Sequence, residues 1–154
     1  MQIGVPKADA NAAVMARYAA AASQRSEWPA APSGHSALAV GGHALRCDAA
    51  AAYRAMSGAF TSAFGTPICI TDSYRGYASQ VRLYGQKPAL AAIPGTSNHG
   101  WGLAVDLCGG IESFGTPQYS WTSANAGRFG FLHPTWADPG RGREEPWHWE
   151  YAGT

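Results

Sequence analysis

The sequence is short of charge: charged residues make up 14% of the chain and the formal net charge is +1. It therefore offers neither a basic field for nucleic acid nor an acidic tail, and charge nominates no partner. No apolar run is long enough to cross a bilayer, and the N-terminus lacks the uninterrupted apolar core of a secretory signal. Export is expected either through a signal already removed or by another route, such as release on cell lysis. Cysteine is scarce too. Cys47, Cys69 and Cys108 make neither the CxxC pairs of a thiolate zinc site nor a dense disulfide framework. What is present is 46% apolar residues in 154, which excludes a disordered chain and suits one domain with one core.

The densest chemistry lies in SNHGWGLAVDL, residues 97–107. His99 and Asp106 both carry atoms that bind a divalent metal. Seven extended residues would hold their Cα atoms roughly 23 Å apart, too far for one ion, so the chain must bend. Gly100 and Gly102 are expected to supply the bend. Leu103 to Leu107 then reads as a short apolar strand interrupted by Asp106, whose burial demands a cation or several donors. Taken alone, these two residues are more often a hydrogen-bonded histidine and a turn-capping aspartate than metal ligands.

Along the chain, residues 9–24 read as an alanine-rich helix starting near Asp9, and 25–36 as a loop. Residues 37–47 suggest a hairpin turning at Gly41 and Gly42, with His35 and His43 as surface or turn residues. Asp48 is expected to cap a helix reaching Phe64, whose Tyr53, Met56, Phe60 and Phe64 recur at steps of three and four and should pack on a sheet. ICITDS, residues 68–73, reads as a strand that passes through Tyr74 and Arg75 into a helix over 77–86. Arg75 at the strand exit can face a cleft or pair with a surface carboxylate, and Gln80 shares that ambiguity. An antiparallel pairing of ICITDS with GLAVDL would bring Cys69 and Cys108 together as a disulfide, implying an oxidising compartment. A helix over 118–128, a strand over 129–132, a long loop over 133–146 forming a substrate-facing rim, and a strand over 147–151 complete the chain.

EPWHWE supplies what His99 and Asp106 lack. His148 is a third ligand, and two histidines with one carboxylate leave one zinc position open, as in a catalytic site. Glu145 can take a proton from water at such a site. By strand parity His148 shares a face with Glu150 rather than Glu145, although Pro146 can re-aim Glu145. Glu144 and Glu150 are read as structural or supporting carboxylates, with Glu150 the alternative to Glu145.

Ser97, His99, Gly102, Ala104 and Asp106, followed by Glu145, Trp147 and His148, together with the upstream SYRGYASQ, resemble the VanY-like D-Ala-D-Ala metallopeptidases. These belong to the wider group that includes lysostaphin and hedgehog domains. The resemblance covers roughly Cys47 to Tyr151. It implies an α+β fold whose small antiparallel sheet carries the site, one zinc ion held by His99, Asp106 and His148, and Glu145 as catalytic base. It further implies that Arg75 stabilises the substrate carbonyl or holds a substrate carboxylate, and that Ser97, Gln80 and Tyr74 contact substrate. His133 has no assignment. Residues 1–46 match no motif and are expected to pack on the 47–154 core as one domain.

The expected activity is hydrolysis of peptidoglycan stem peptides by a monomer outside the cell or in the cell wall. A D-Ala-D-Ala carboxypeptidase leads, with a phage endolysin endopeptidase as its alternative. A non-catalytic zinc-containing binding module is the competing class, and a carbohydrate-binding tryptophan surface is a third reading.

Overall fold

Tyr53, Met56 and Phe60 fall on one face of the helix α1, Cys47–Phe64, and all three are buried. The computed structural model describes residues 35–37 and 42–153, so the expected helix over 9–24 lies outside the described residues. Helix α1 stops where Gly65 takes a left-handed backbone and donates its N–H to Thr61 O at 2.7 Å. Its start corrects one expectation. Arg46, not Asp48, is the residue before the helix, and Asp48 sits in the first turn, accepting from Ala49 N and pairing with Arg46. An acidic side chain there still meets the positive end of the helix dipole.

Before α1, strands β1 (His35–Ala37) and β2 (Ala44–Arg46) pair antiparallel, with His35 opposite Arg46. After it come β3 (Cys69–Asp72), α2 (Tyr77–Gln86), β4 (Ala104–Cys108), α3 (Pro117–Asn125), a 3-10 turn at Ala126–Phe129, β5 (Phe131–Leu132), a second 3-10 turn at Thr135–Ala137, and β6 (His148–Tyr151). The helix expected over 118–128 is thus split: Thr116 caps its start through Tyr119 N, and its last turn tightens. Strands β3, β4, β6 and β5 form, in that order, an antiparallel sheet.

The chain divides into two compact units. Among the described residues one comprises 35–37, 42–75 and 98–153, and the other comprises 76–97, which holds α2. The boundary expected after residue 46 falls inside the first of these, between β2 and α1.

Within the larger unit the sheet's period of two decides everything about the site. Val105, Leu107 and Trp149 point to one face, where they join Tyr53, Met56, Phe60, Ile68 and Ile70 in the core. Fully burying side chains of this size contributes on the order of 2 kcal/mol each. Tyr53 Oη donates to Ile68 O at 2.8 Å and Ser57 Oγ accepts from Ile68 N at 3.0 Å, so α1 satisfies the buried backbone where β3 begins. Burial pushes the Tyr53 hydroxyl up to about 12. Cys69 and Cys108 are direct cross-strand partners joined by a disulfide. The alternate residues of β4 and β6 are left for the opposite face.

Candidate metal centre

That opposite face carries Asp106 on β4 with His148 and Glu150 on β6. The register sets Asp106 directly across from His148 and Ala104 across from Glu150. Neighbouring cross-strand side chains of an antiparallel pair are in contact range, and Asp106 Oδ1 lies 3.1 Å from His148 Nδ1.

His99 reaches the same point from a turn. Asn98 O accepts from the amides of Trp101, Leu103 and Ala104 at 3.0–3.2 Å, folding the segment back into β4. Gly102 makes this possible with φ of 69°, a region costly to residues with a Cβ. Gly100 does not take a positive φ, so the expected pair of hinge glycines reduces to one. His99 O then accepts from Arg75 N at 3.0 Å, tying the exit of β3 to the turn.

Each histidine is oriented by a second partner. His99 Nδ1 donates to Ser73 O at 2.8 Å, which turns Nε2 towards Asp106 Oδ1 at 3.3 Å. His148 Nε2 donates to Glu150 Oε1 at 2.9 Å, which turns Nδ1 towards Asp106. One ligand atom each from His99, Asp106 and His148 thus lies within 4.8 Å of the others. Two oriented imidazoles and one carboxylate are a donor set that fits zinc with a position to spare. Both histidines are buried. Burial opposes charge on Asp106, yet hydrogen bonds from His148 and His99 outweigh it and hold the carboxyl well below the usual range. Burial likewise opposes charge on His148, and the bonds to Asp106 and Glu150 prevail, raising it to about 9.

The remaining expected site residues lie as follows. Arg75 is ion-paired through Nη2 with Asp72 Oδ2. Tyr74 N donates to Ala44 O at 2.9 Å. The Glu145 carbonyl accepts from His148 N at 3.0 Å, and the Glu145 carboxylate lies 3.9 Å from Arg143 Nη2. Glu144 accepts from the amides of Gly140 and Gly142 at the surface, a purely local turn. Gln80 and Ser97 belong to the other unit and are buried; Gln80 Nε2 donates to Ala92 O at 2.7 Å. Two participants escaped the sequence reading. Ser73 acts through a backbone carbonyl, which no residue type signals. Trp136, from the long 133–146 segment, lies with its ring 5.0 Å from that of His148 and under the Arg143 guanidinium. The bond of Glu150 to His148 was foreshadowed by their shared strand parity.

Residues 42–154 match the family model described as VanY, D-alanyl-D-alanine carboxypeptidase. A D-alanyl-D-alanine carboxypeptidase of Enterococcus faecalis is 39% identical over 83 residues, which cover 51% of this chain. The match covers only 31% of that relative's length. Among solved structures, a VanY D,D-pentapeptidase variant from a VanB-type resistance cassette, in complex with Zn(II), is similar with a TM-score of 0.61 at 28% identity, over 77% of this chain and 78% of that one. VanYB in complex with D-alanine-D-alanine gives 0.63 at 28%, covering 82% and 81%. The LdcB LD-carboxypeptidase gives 0.65 at 26%, covering 81% and 71%.

Proposed function

The chain belongs to the VanY family of D-alanyl-D-alanine carboxypeptidases, and from that premise we propose that it is a zinc-dependent carboxypeptidase acting on peptidoglycan stem peptides. The observation that carries the reading is the convergence of His99 Nε2, Asp106 Oδ1 and His148 Nδ1, each histidine oriented by a second hydrogen bond. These three residues hold the metal. Bound there, zinc supplies Lewis acidity that polarises a carbonyl and acidifies water.

Glu145 takes the proton of the attacking water on its carboxylate and passes it to the departing amine. Arg75 offers its guanidinium to the carbonyl oxygen as that oxygen gains charge, or to a substrate carboxylate, with Asp72 orienting it. Substrate contacts through Ser97, Gln80 and Tyr74 rest on the family motif alone. The enzyme acts as a monomer at the cell wall, and the Cys69–Cys108 disulfide supports an oxidising location of that kind.

Defined muropeptides, incubated with and without a chelator and followed by mass spectrometry, test the reading. Loss of one D-Ala from a pentapeptide is expected. D-Ala release only from a tetrapeptide would select L,D-cleavage, and a larger fragment an endopeptidase of the endolysin kind. A zinc-loaded protein that cuts nothing would be a binding module. Glu145→Ala should keep its zinc and lose hydrolysis. Arg75→Ala should lose on the order of 100- to 1000-fold in turnover, and wild-type turnover would exclude both roles for that residue.

A further inference from the structure

His133 is the histidine that the motifs leave without a task. Its side chain is buried among aromatic rings, 5.0 Å from Trp149 and 5.8 Å from Tyr119 by ring centroids, with Phe114 at 6.2 Å. Both of its nitrogens are nonetheless engaged. Nδ1 lies 2.9 Å from Asp138 Oδ1 and Nε2 lies 3.0 Å from Glu145 O. A carbonyl oxygen only accepts, so Nε2 carries a proton and donates it to Glu145. Glu145 N in turn donates to Ala137 O at 3.1 Å, beside Asp138. Two segments separated by the exposed Gly140–Arg143 turn are thus stitched together at the backbone of Glu145.

From this geometry we propose that His133 is the positioning residue of the general base: it clamps the Glu145 backbone so that its carboxylate leaves the chain in one fixed direction. The inference rests on the assignment of Glu145 as that base. A carboxylate on a free loop would sample many directions, and small displacements of a reacting group cost up to about 100-fold in rate. His148 does not depend on the clamp in the same way. His148 N also donates to Glu145 O, but His148 is held as well by pairing with Asp106 across the sheet and by Glu150, so loss of His133 should spare the metal.

Two substitutions separate positioning from packing. His133→Phe keeps an aromatic ring among Phe114, Tyr119 and Trp149 but donates nothing. His133→Gln places an amide N–H where Nε2 stood. With zinc-loaded protein and a D-Ala-D-Ala-terminated pentapeptide, His133→Phe should lower kcat by on the order of 10- to 100-fold with KM and zinc content unchanged, and His133→Gln should recover most of it. Equal kcat in wild type and His133→Phe, or equal losses in both variants, would overturn the inference. Glu145→Ala run alongside judges the base assignment separately: hydrolysis surviving there removes the base, whatever His133 does. A readout independent of turnover is the Glu145 carbonyl carbon resonance in specifically labelled protein. It should move in His133→Phe and return in His133→Gln, and an unmoved resonance refutes the clamp.

Discussion

His148 is buried, which opposes charge on its ring, yet Asp106 and Glu150 accept from its two nitrogens and raise it from an ordinary 6.5 to about 9. In metal-free protein the charged ring therefore contributes stability that is complete below about pH 6.5 and lost as pH rises towards 9. Asp106, held below the carboxylate range, contributes in the opposite sense: its share is present above the ordinary carboxylate pKa and lost on acidification. Zinc held as proposed would displace the Nδ1 proton of His148, so its affinity should climb with pH up to about 9. Calorimetry at neutral pH in buffers of different ionisation enthalpy should find about one proton released from this residue per zinc bound; no buffer dependence would contradict it. Glu150→Gln removes the charged acceptor that fixes which nitrogen of His148 faces Asp106. Zinc affinity, read by competition with a chromophoric chelator, should drop by about 10- to 100-fold, and an unchanged affinity would assign Glu150 no orienting part.

Strand β4 is the element on which the site depends, because its two faces do different work. Val105 and Leu107 anchor it in the core, and Asp106 between them presents the carboxylate. Its end is tied to β3 by the Cys69–Cys108 disulfide, which spans a sequence separation of 39 residues. In the chain-entropy view a loop of that size stabilises by about 4 kcal/mol. Replacing both cysteines with serine should lower the unfolding free energy read from urea titration by an amount of that order, seen as a lower midpoint. Core packing and the pairing of β4 with β6 remain, so the variant should still bind zinc. An unshifted midpoint would mean that the bridge does not constrain the unfolded chain.

At the scale of the molecule, the metal would join a turn, β4 and β6, segments that the sequence separates by up to the distance from His99 to His148. A ligand bound only by the folded state stabilises it by about 2.7 kcal/mol at a hundred times its dissociation constant. Chelation should therefore lower the melting temperature and zinc should restore it, whereas Asp106→Asn should melt at one temperature with or without chelator. An identical response in that variant would place the metal elsewhere.

Local pattern was enough for much of this. Steps of three and four placed Tyr53, Met56 and Phe60 in α1, alternation placed Asp106 and His148 on strands, and the need to bend pointed to glycine near residue 102, because each of these is set by neighbours in the chain. The capping residue of α1 and the single hinge glycine are not set by local pattern, because one or two backbone torsions decide them. What only the tertiary structure decided is which atom does what. The orientation of His99 depends on the carbonyl of Ser73, and the backbone of Glu145 on a histidine 12 residues away across an aperiodic segment. Residue type and spacing nominate the ligands, but hydrogen bonds between distant segments choose which nitrogen of each histidine faces Asp106 and hold the backbone of Glu145.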